Sequence, residues 1–95
     1  NSYLNVDERN KAPSIYREIS AIAENLRNGE RDFQKLEENA LHSLKATGFK
    51  PEYVSVRRLE DLEAPRADDT RFSVLAAAWL GSARLIDNVK VELAS

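Results

Sequence analysis

Apolar residues in the first half of the chain recur every three or four positions, which predicts amphipathic helices. Asn5 and Glu8 have the spacing of a capping box, so a short helix is expected over Val6 to Asn10. Pro13 then favours the first turn of a second helix. The apolar stripe of that helix comprises Ile15, Ile19, Ile22, Ala23 and Leu26.

Two glycines mark the ends of the two longer helices. Gly29 follows the second helix where a left-handed residue would end it, and Gly48 does the same for a third helix. Asp32 is the predicted N-cap of that third helix. Its apolar stripe comprises Phe33, Leu36, Ala40, Leu41 and Leu44. Because the connection between the long helices is short, they are expected to be antiparallel neighbours.

After Pro51 the apolar period changes to two, which predicts strands. Residues Tyr53 to Arg58 alternate and are rich in β-branched side chains, so they are expected to form the first strand. Residues Leu59 to Thr70 are polar and predict a long exposed connection, with one turn over Glu60 to Glu63.

Residues Phe72 to Val91 read FSVLAAAWLGSARLIDNVKV and predict a β-hairpin. Gly81 occupies the first central position of a type II′ turn, where positive φ is required. The stretch Leu75 to Leu80 could also form a buried helix segment, but its length and the following turn favour a strand. The expected fold is α+β, with two main helices and a short N-terminal one packed on a small three-stranded, mainly antiparallel sheet that ends in the hairpin.

The composition is that of an ordinary globular protein, with 42% hydrophobic and 32% charged residues. The formal net charge of −2 argues against a nucleic-acid partner, which would require a basic face. No apolar stretch approaches the ~20 residues that span a bilayer, so no membrane partner is expected. The absence of Cys excludes disulfides and agrees with a cytoplasmic location, and the absence of Met predicts that the chain is a piece of a longer product.

Few residues qualify as candidates for catalysis or metal binding. His42 is the only histidine, which excludes a two-histidine metal motif, and its place on the helical wheel predicts a solvated side chain. The three glycines are isolated, and no serine stands in a Gly-x-Ser-x-Gly context. No catalytic residue and no metal ligand is therefore predicted in this chain.

Several other side chains are expected to be structural or solvated. The adjacent pairs Glu60-Asp61 and Asp68-Asp69 lie in a loop and are expected to face solvent. Trp79 is expected opposite Arg84, with the guanidinium stacked on the indole.

Asp87 interrupts the last strand and has two interpretations. The predicted register places it opposite Ala76, on the face that carries Leu85 and Val89, where a carboxylate needs hydrogen-bond donors. It either fixes a bulge or the loop before Tyr53, or it faces the active site of a larger enzyme.

Four blocks of sequence carry a family resemblance. They are NSYLNVDERNKAP (1–13), GERD (29–32), GFKPEYVSVRRLEDLE (48–63) and AAAWLGSARLIDN (76–88). In order and approximate spacing they resemble the C-terminal domain of the pantothenate synthetases, or pantoate–β-alanine ligases. The resemblance implies that residues 1–95 form a single domain. It also implies that the family's nucleotide-binding domain, with its catalytic histidines and lysine, is absent.

The resemblance implies an activity and roles for the first four residues. Enzymes of this family adenylate pantoate with ATP and then transfer the pantoyl group to the amine of β-alanine, giving pantothenate and AMP. The C-terminal domain is expected to cover the active site and keep water from the acyl adenylate. Asn1 corresponds to the end of the SSRN signature and is the implied nucleotide-binding residue. Ser2, Tyr3 and Leu4 fall at the hinge between the domains.

The resemblance also implies cofactors and partners. ATP and Mg²⁺ are expected in the full-length enzyme, whereas residues 1–95 alone are expected to bind neither and to be inactive. The implied partners are the chain's own N-terminal nucleotide-binding domain, the substrates pantoate and β-alanine, and a second copy in a homodimer. A stand-alone α+β protein-interaction domain, using the sheet face or the helix pair, is the alternative.

Overall fold

The computed structural model describes residues 4–93, in which three helices precede three strands. The elements are α1 (Val6–Lys11), α2 (Ser14–Arg27), α3 (Phe33–Thr47), β1 (Lys50–Arg58), β2 (Arg71–Leu80) and β3 (Ala83–Glu92). The predicted α+β fold is confirmed, since the helices pack on a three-stranded antiparallel sheet that ends in a hairpin.

Local caps set the helix boundaries close to their predicted places. The Asn5 side chain accepts the Glu8 N–H at 2.8 Å, and the Glu8 carboxylate accepts the Asn5 N–H at 3.0 Å, which is the predicted capping box. The Asp32 side chain accepts a backbone N–H in the first turn of α3. Gly29 and Gly48 have φ angles of +95° and +109°, so both adopt the left-handed conformation that ends a helix.

The sheet has the strand order β1-β2-β3, and its hairpin turn is the predicted one. Leu80 pairs with Ala83, leaving a two-residue turn whose first residue, Gly81, has a φ of +60°. Ser82 does not have a positive φ, which agrees with a type II′ turn. Residues 75–80 therefore form a strand and not a helix.

The first strand is longer than predicted and contains a bulge. It begins at Lys50, three residues before the predicted start at Tyr53, because proline is tolerated in an edge strand and Pro51 does not end this one. The register with β2 shifts between Pro51 and Tyr53, so Glu52 has no partner directly opposite. This bulge later determines where the Glu52 side chain lies.

The hydrophobic core lies between the helices and one face of the sheet. Helix α2 packs mainly against β3, and α3 packs mainly against β1. The α2 stripe is buried as predicted, whereas Phe33 and Leu41 at the edge of the α3 stripe are only partly buried. The sheet contributes Val54, Val56, Phe72, Val74, Ala76, Ala78, Leu80, Ala83 and Val91 to this core.

Two polar side chains on or before α3 tie it to the rest of the domain. The Arg31 guanidinium donates to the carbonyls of Leu26 and Ala67 at 3.0 Å and lies 5.1 Å from the centre of the Phe72 ring. The Glu37 carboxylate accepts the Val56 N–H of edge strand β1 at 2.8 Å. An edge strand with a covered N–H is a poorer template for pairing with another chain.

Candidate functional site

The residues predicted from the family resemblance lie at the start of the chain. Asn1, Ser2 and Tyr3 lie outside the described residues, so the nucleotide-binding role of Asn1 and the hinge stay predictions. Leu4 is only 8% exposed and belongs to the hydrophobic core. A buried side chain of this kind moves with the domain, so any hinge would have to bend before it.

Asp87 has the predicted register but not the predicted structural role. It pairs with Ala76, is half-buried, and accepts the Asn88 N–H at 2.8 Å. The β2–β3 register is regular through Asp87 and the bulge lies in β1 around Glu52, so the prediction that Asp87 fixes a bulge is wrong. The residues directly before Tyr53 belong to β1, so the predicted loop there is wrong as well. Its role toward the active site of a larger enzyme stays a prediction.

Of the acidic pairs in the long connection, Glu60, Asp61 and Asp68 are exposed as predicted, whereas Asp69 is partly buried. Glu60, Asp61 and Asp69 place carboxylate oxygens 3.3, 3.8 and 3.7 Å from the Arg58 guanidinium. The connection folds back on the end of β1, where the Arg58 N–H donates to the carbonyl of Glu63 at 3.0 Å. Glu60, Asp61 and Asp69 therefore help to hold the loop on Arg58.

The described part of the chain contains no assembled metal centre. Within residues 4–93, no group of three or more His, Asp or Glu side chains is arranged to hold a metal ion. His42 lies exposed on α3, as predicted. None of the helices within these residues is both long and apolar enough to cross a membrane.

The face of the sheet opposite the helices is the candidate functional surface, and we call it the open face. Facing residues of paired strands point to the same side of a sheet, so the register assigns residues to this face in cross-strand rows. These residues are Lys50, Tyr53, Ser55, Arg57, Arg71, Ser73, Leu75, Ala77, Trp79, Arg84, Ile86, Asn88, Lys90 and Glu92.

The end of the open face next to the hairpin turn carries exposed apolar side chains beside Lys50 and Arg84, and we call it the turn end. Tyr53, Ala77 and Ile86 form one row, in which Tyr53 is 38% exposed and Ile86 is 61% exposed. Ala77 is fully buried although it is not part of the core under the helices, so its neighbours on the open face cover it. A sheet with one face in water usually alternates apolar and polar residues, and the turn end departs from that pattern.

The Glu52 carboxylate holds Trp79 and Arg84 together at the turn end. It accepts the Trp79 indole N–H at 2.8 Å and the Arg84 Nε–H at 2.9 Å, and the Arg84 Nη2 lies 2.7 Å from the same carboxylate oxygen as Nε. Trp79 lies opposite Arg84 as predicted, and the bulge places this carboxylate beside both groups, so that Glu52 joins them. Hydrogen bonds from Arg84, and then from Trp79, lower the pKa of Glu52 below its ordinary value.

A leucine in an unfavourable backbone conformation adds to the same face. Leu62 has a φ of +60°, a left-handed conformation that costs a leucine about 1–2 kcal/mol. The Leu62 N–H donates to the Arg58 carbonyl at 2.9 Å, which fixes the turn. Leu62 lines an open groove of about 580 Å³ together with Tyr53, Ser55, Arg57 and Leu75.

The other end of the open face is basic. Arg57 and Lys90 flank Ser73 in one cross-strand row. Beyond them, Arg71 pairs with Glu92 at 3.3 Å across β2 and β3. The open face therefore has its exposed aromatic and aliphatic side chains at the turn end, beside Lys50 and the Arg84–Glu52 pair, and basic side chains at the far end. Sequence reasoning named the sheet face only as a surface of the alternative interaction domain and did not identify these residues, because residue spacing alone does not show which face of a sheet the helices cover.

Comparison with known proteins decides the family. Residues 1–90 match the family model described as pantoate-beta-alanine ligase. The chain belongs to this family. The resemblance stated from the four sequence blocks is thereby confirmed.

Curated relatives are considerably longer than this chain. The pantothenate synthetase of Methylococcus capsulatus is 48% identical over 93 residues, which are 98% of this chain and 32% of the relative. That of Neisseria meningitidis serogroup A is 47% identical over 98% of this chain and 34% of the relative. That of Nitrosococcus oceani is 46% identical over 100% of this chain and 33% of the relative. The chain spans about one third of the length of the curated relatives it matches.

Proposed function

We propose that this chain is the C-terminal domain of an ATP-dependent ligase that condenses pantoate and β-alanine to pantothenate. The observation that carries the proposal is 48% identity over nearly the whole chain to a protein named pantothenate synthetase. That relative is about three times as long, which leaves room for a separate nucleotide-binding domain.

The proposed reaction has two steps. A carboxylate oxygen of pantoate attacks the α-phosphorus of ATP, and pyrophosphate leaves. The amine of β-alanine then attacks the acyl carbon of pantoyl adenylate, the bond to AMP breaks, and the amine loses a proton.

The proposed role of this domain is to cover the active site. An acyl adenylate hydrolyses when water competes with the amine, so an enclosing domain raises the yield of the amide. The domain is suited to movement as one body, because the buried Leu4 anchors its first described residue in the core.

The yield of pantothenate per ATP tests this role. A full-length enzyme truncated before Tyr3 should still exchange pyrophosphate into ATP when given pantoate, though more weakly. It should form clearly less pantothenate per ATP consumed than the intact enzyme, because pantoyl adenylate escapes to hydrolysis. A truncated enzyme that keeps this ratio near one would show that the domain is not a cover.

The alternative is a stand-alone protein-interaction domain, which the exposed aromatic residues of the open face would suit. The gene distinguishes the two proposals, because the ligase requires a nucleotide-binding domain encoded upstream of Asn1. Under the ligase proposal, residues 1–95 alone are inactive and bind ATP negligibly, which calorimetric titration can measure. The homodimer and the cytoplasmic location stay predictions.

A further inference from the structure

We propose that the turn end of the open face is the surface on which the upstream domain of the complete enzyme docks. The contact residues are Tyr53, Trp79 and Ile86. The inference rests on the proposed function, because it requires a nucleotide-binding domain in the same chain.

Exposed apolar side chains are concentrated at the turn end. Residues 4–93 expose six large hydrophobic side chains, and three of them are these contact residues. Of the other three, Val6 and Tyr16 lie on helices, and Leu62 lies in the turn after β1. Single exposed hydrophobic residues are common on protein surfaces, but a contiguous apolar patch marks an interaction site.

The patch is held in place before any partner arrives. Trp79 is fixed by its hydrogen bond to Glu52, which also binds Arg84 across the hairpin. Aromatic side chains that are already immobile lose little entropy on binding, which makes them effective anchors in an interface.

The first residues of the domain lie near the turn end. The Glu8 carboxylate of α1 lies against Gly81 of the hairpin turn, and the buried Leu4 immediately precedes this helix. The Lys11 ammonium, at the end of α1, lies beside Gly48, just before the strand that pairs with Trp79. A domain joined ahead of Leu4 is thus tethered close to the apolar patch.

The tether favours the upstream domain over a second copy of this chain. The curated relatives contain about two thirds of their length outside the matched region, which is enough for such a domain. A short linker raises the effective concentration of a tethered partner to the order of millimolar. A second copy would have to compete with that concentration from free solution.

Cysteine reporters in the full-length enzyme can test the inference, because residues 1–95 contain no Cys. Ile86→Cys reports on the turn end, and Tyr16→Cys is the matched control on α2, where Tyr16 is 56% exposed. Maleimide labelling of each site is followed by peptide mass mapping, with and without pantoate and ATP. Labelling of the unfolded proteins corrects for intrinsic reactivity.

We expect Ile86→Cys to be labelled about tenfold more slowly than Tyr16→Cys in at least one of the two conditions. Asn88→Cys, also on the open face, serves as a second reporter if Ile86→Cys fails to fold. Equal labelling rates in both conditions would overturn the inference. Protection that depends on protein concentration, or an Ile86→Cys disulfide between two copies, would also overturn it, since a second copy would then be the occupant.

The same preparations are assayed for pantothenate, which separates this inference from the proposed function. Active enzyme without protection at residue 86 means that the ligase proposal stands and the docking surface is wrong. Protection at residue 86 in a protein that makes no pantothenate supports docking but contradicts the proposed function.

Discussion

At the scale of single residues, Gly81 is unusual because both its backbone and its surroundings require glycine. Its φ is +60°, and a Cβ at this position would collide with the Glu8 carboxylate. Left-handed backbone strain alone should lower the free energy of unfolding of Gly81→Ala by about 1–2 kcal/mol. We expect a larger loss, because the Glu8 carboxylate must also leave its capping box. Urea denaturation measures the loss.

Gly29→Ala is the matched control for this substitution. Gly29 also has positive φ, at +95°, but no atom lies within 4 Å of the added Cβ. Gly81→Ala should therefore lower the free energy of unfolding by about 1 kcal/mol more than Gly29→Ala does, because about 1 kcal/mol is the usual contribution of a helix cap. In a Glu8→Ala background this difference should largely disappear. Equal costs for the two glycines in the wild-type background would contradict the prediction.

Glu52 should make the stability of the domain depend on acidic pH. Hydrogen bonds from Arg84 and then Trp79 lower the folded-state pKa of Glu52 below 4.5, whereas the unfolded chain lacks these donors. Because the pKa of Glu52 is lower in the folded than in the unfolded state, its ionised carboxylate stabilises the fold. This stabilisation is fully present above the unfolded-state pKa and is lost as the pH falls through the folded-state pKa. The stability difference between wild type and Glu52→Gln should therefore be constant above about pH 5 and narrow in more acidic solution.

The single tryptophan of the chain provides the measurement. Protonation of Glu52 removes the acceptor of the indole N–H, so Trp79 emission should titrate with a midpoint below 4.5. Glu52→Gln should lack this transition. A midpoint at or above 4.5 would contradict the assignment.

At the scale of elements, neighbouring residues of β3 should differ sharply in their effect on stability. Leu85 is partly buried against the helix-side core, whereas Ile86 is 61% exposed on the open face. We expect Leu85→Ala to cost about 1–3 kcal/mol, below the largest core truncations because burial is incomplete. Ile86→Ala should cost less than about 0.5 kcal/mol.

Guanidinium denaturation of residues 1–95 checks this pair of substitutions. The two variants remove side chains of the same size from adjacent positions, so each serves as the control for the other. A loss at Ile86 equal to that at Leu85 would mean that the open face is already covered in this chain.

At the scale of the whole molecule, the position of Leu4 limits where the domain can swing. Its side chain is part of the core, so we predict that the flexible joint of the complete enzyme lies at Ser2 and Tyr3. Ser2→Pro fixes φ near −65° and should slow pantothenate formation, while Ser2→Ala should not. Steady-state turnover measures the effect, and an unchanged rate in Ser2→Pro would exclude a hinge there.

Features that depend on residues close in sequence could be predicted from the sequence. The Asn5–Glu8 capping box, the left-handed Gly29 and Gly48, and the turn at Gly81 are all confirmed. Each depends on a backbone geometry that a few neighbouring residues favour on their own. The family was also evident, because its sequence blocks are matched along almost the whole chain.

Only the tertiary structure decided which groups from distant parts of the chain meet. Glu52 reaches Trp79 and Arg84 across 27 and 32 residues, and it does so because a bulge shifts the register of β1. The sequence alone therefore determined the helices, the hairpin and the family. The strand register and the side of the sheet that the helices cover determined the open face. The strand register and the covered side of the sheet depend on how the whole core packs, so they cannot be predicted from a local sequence pattern.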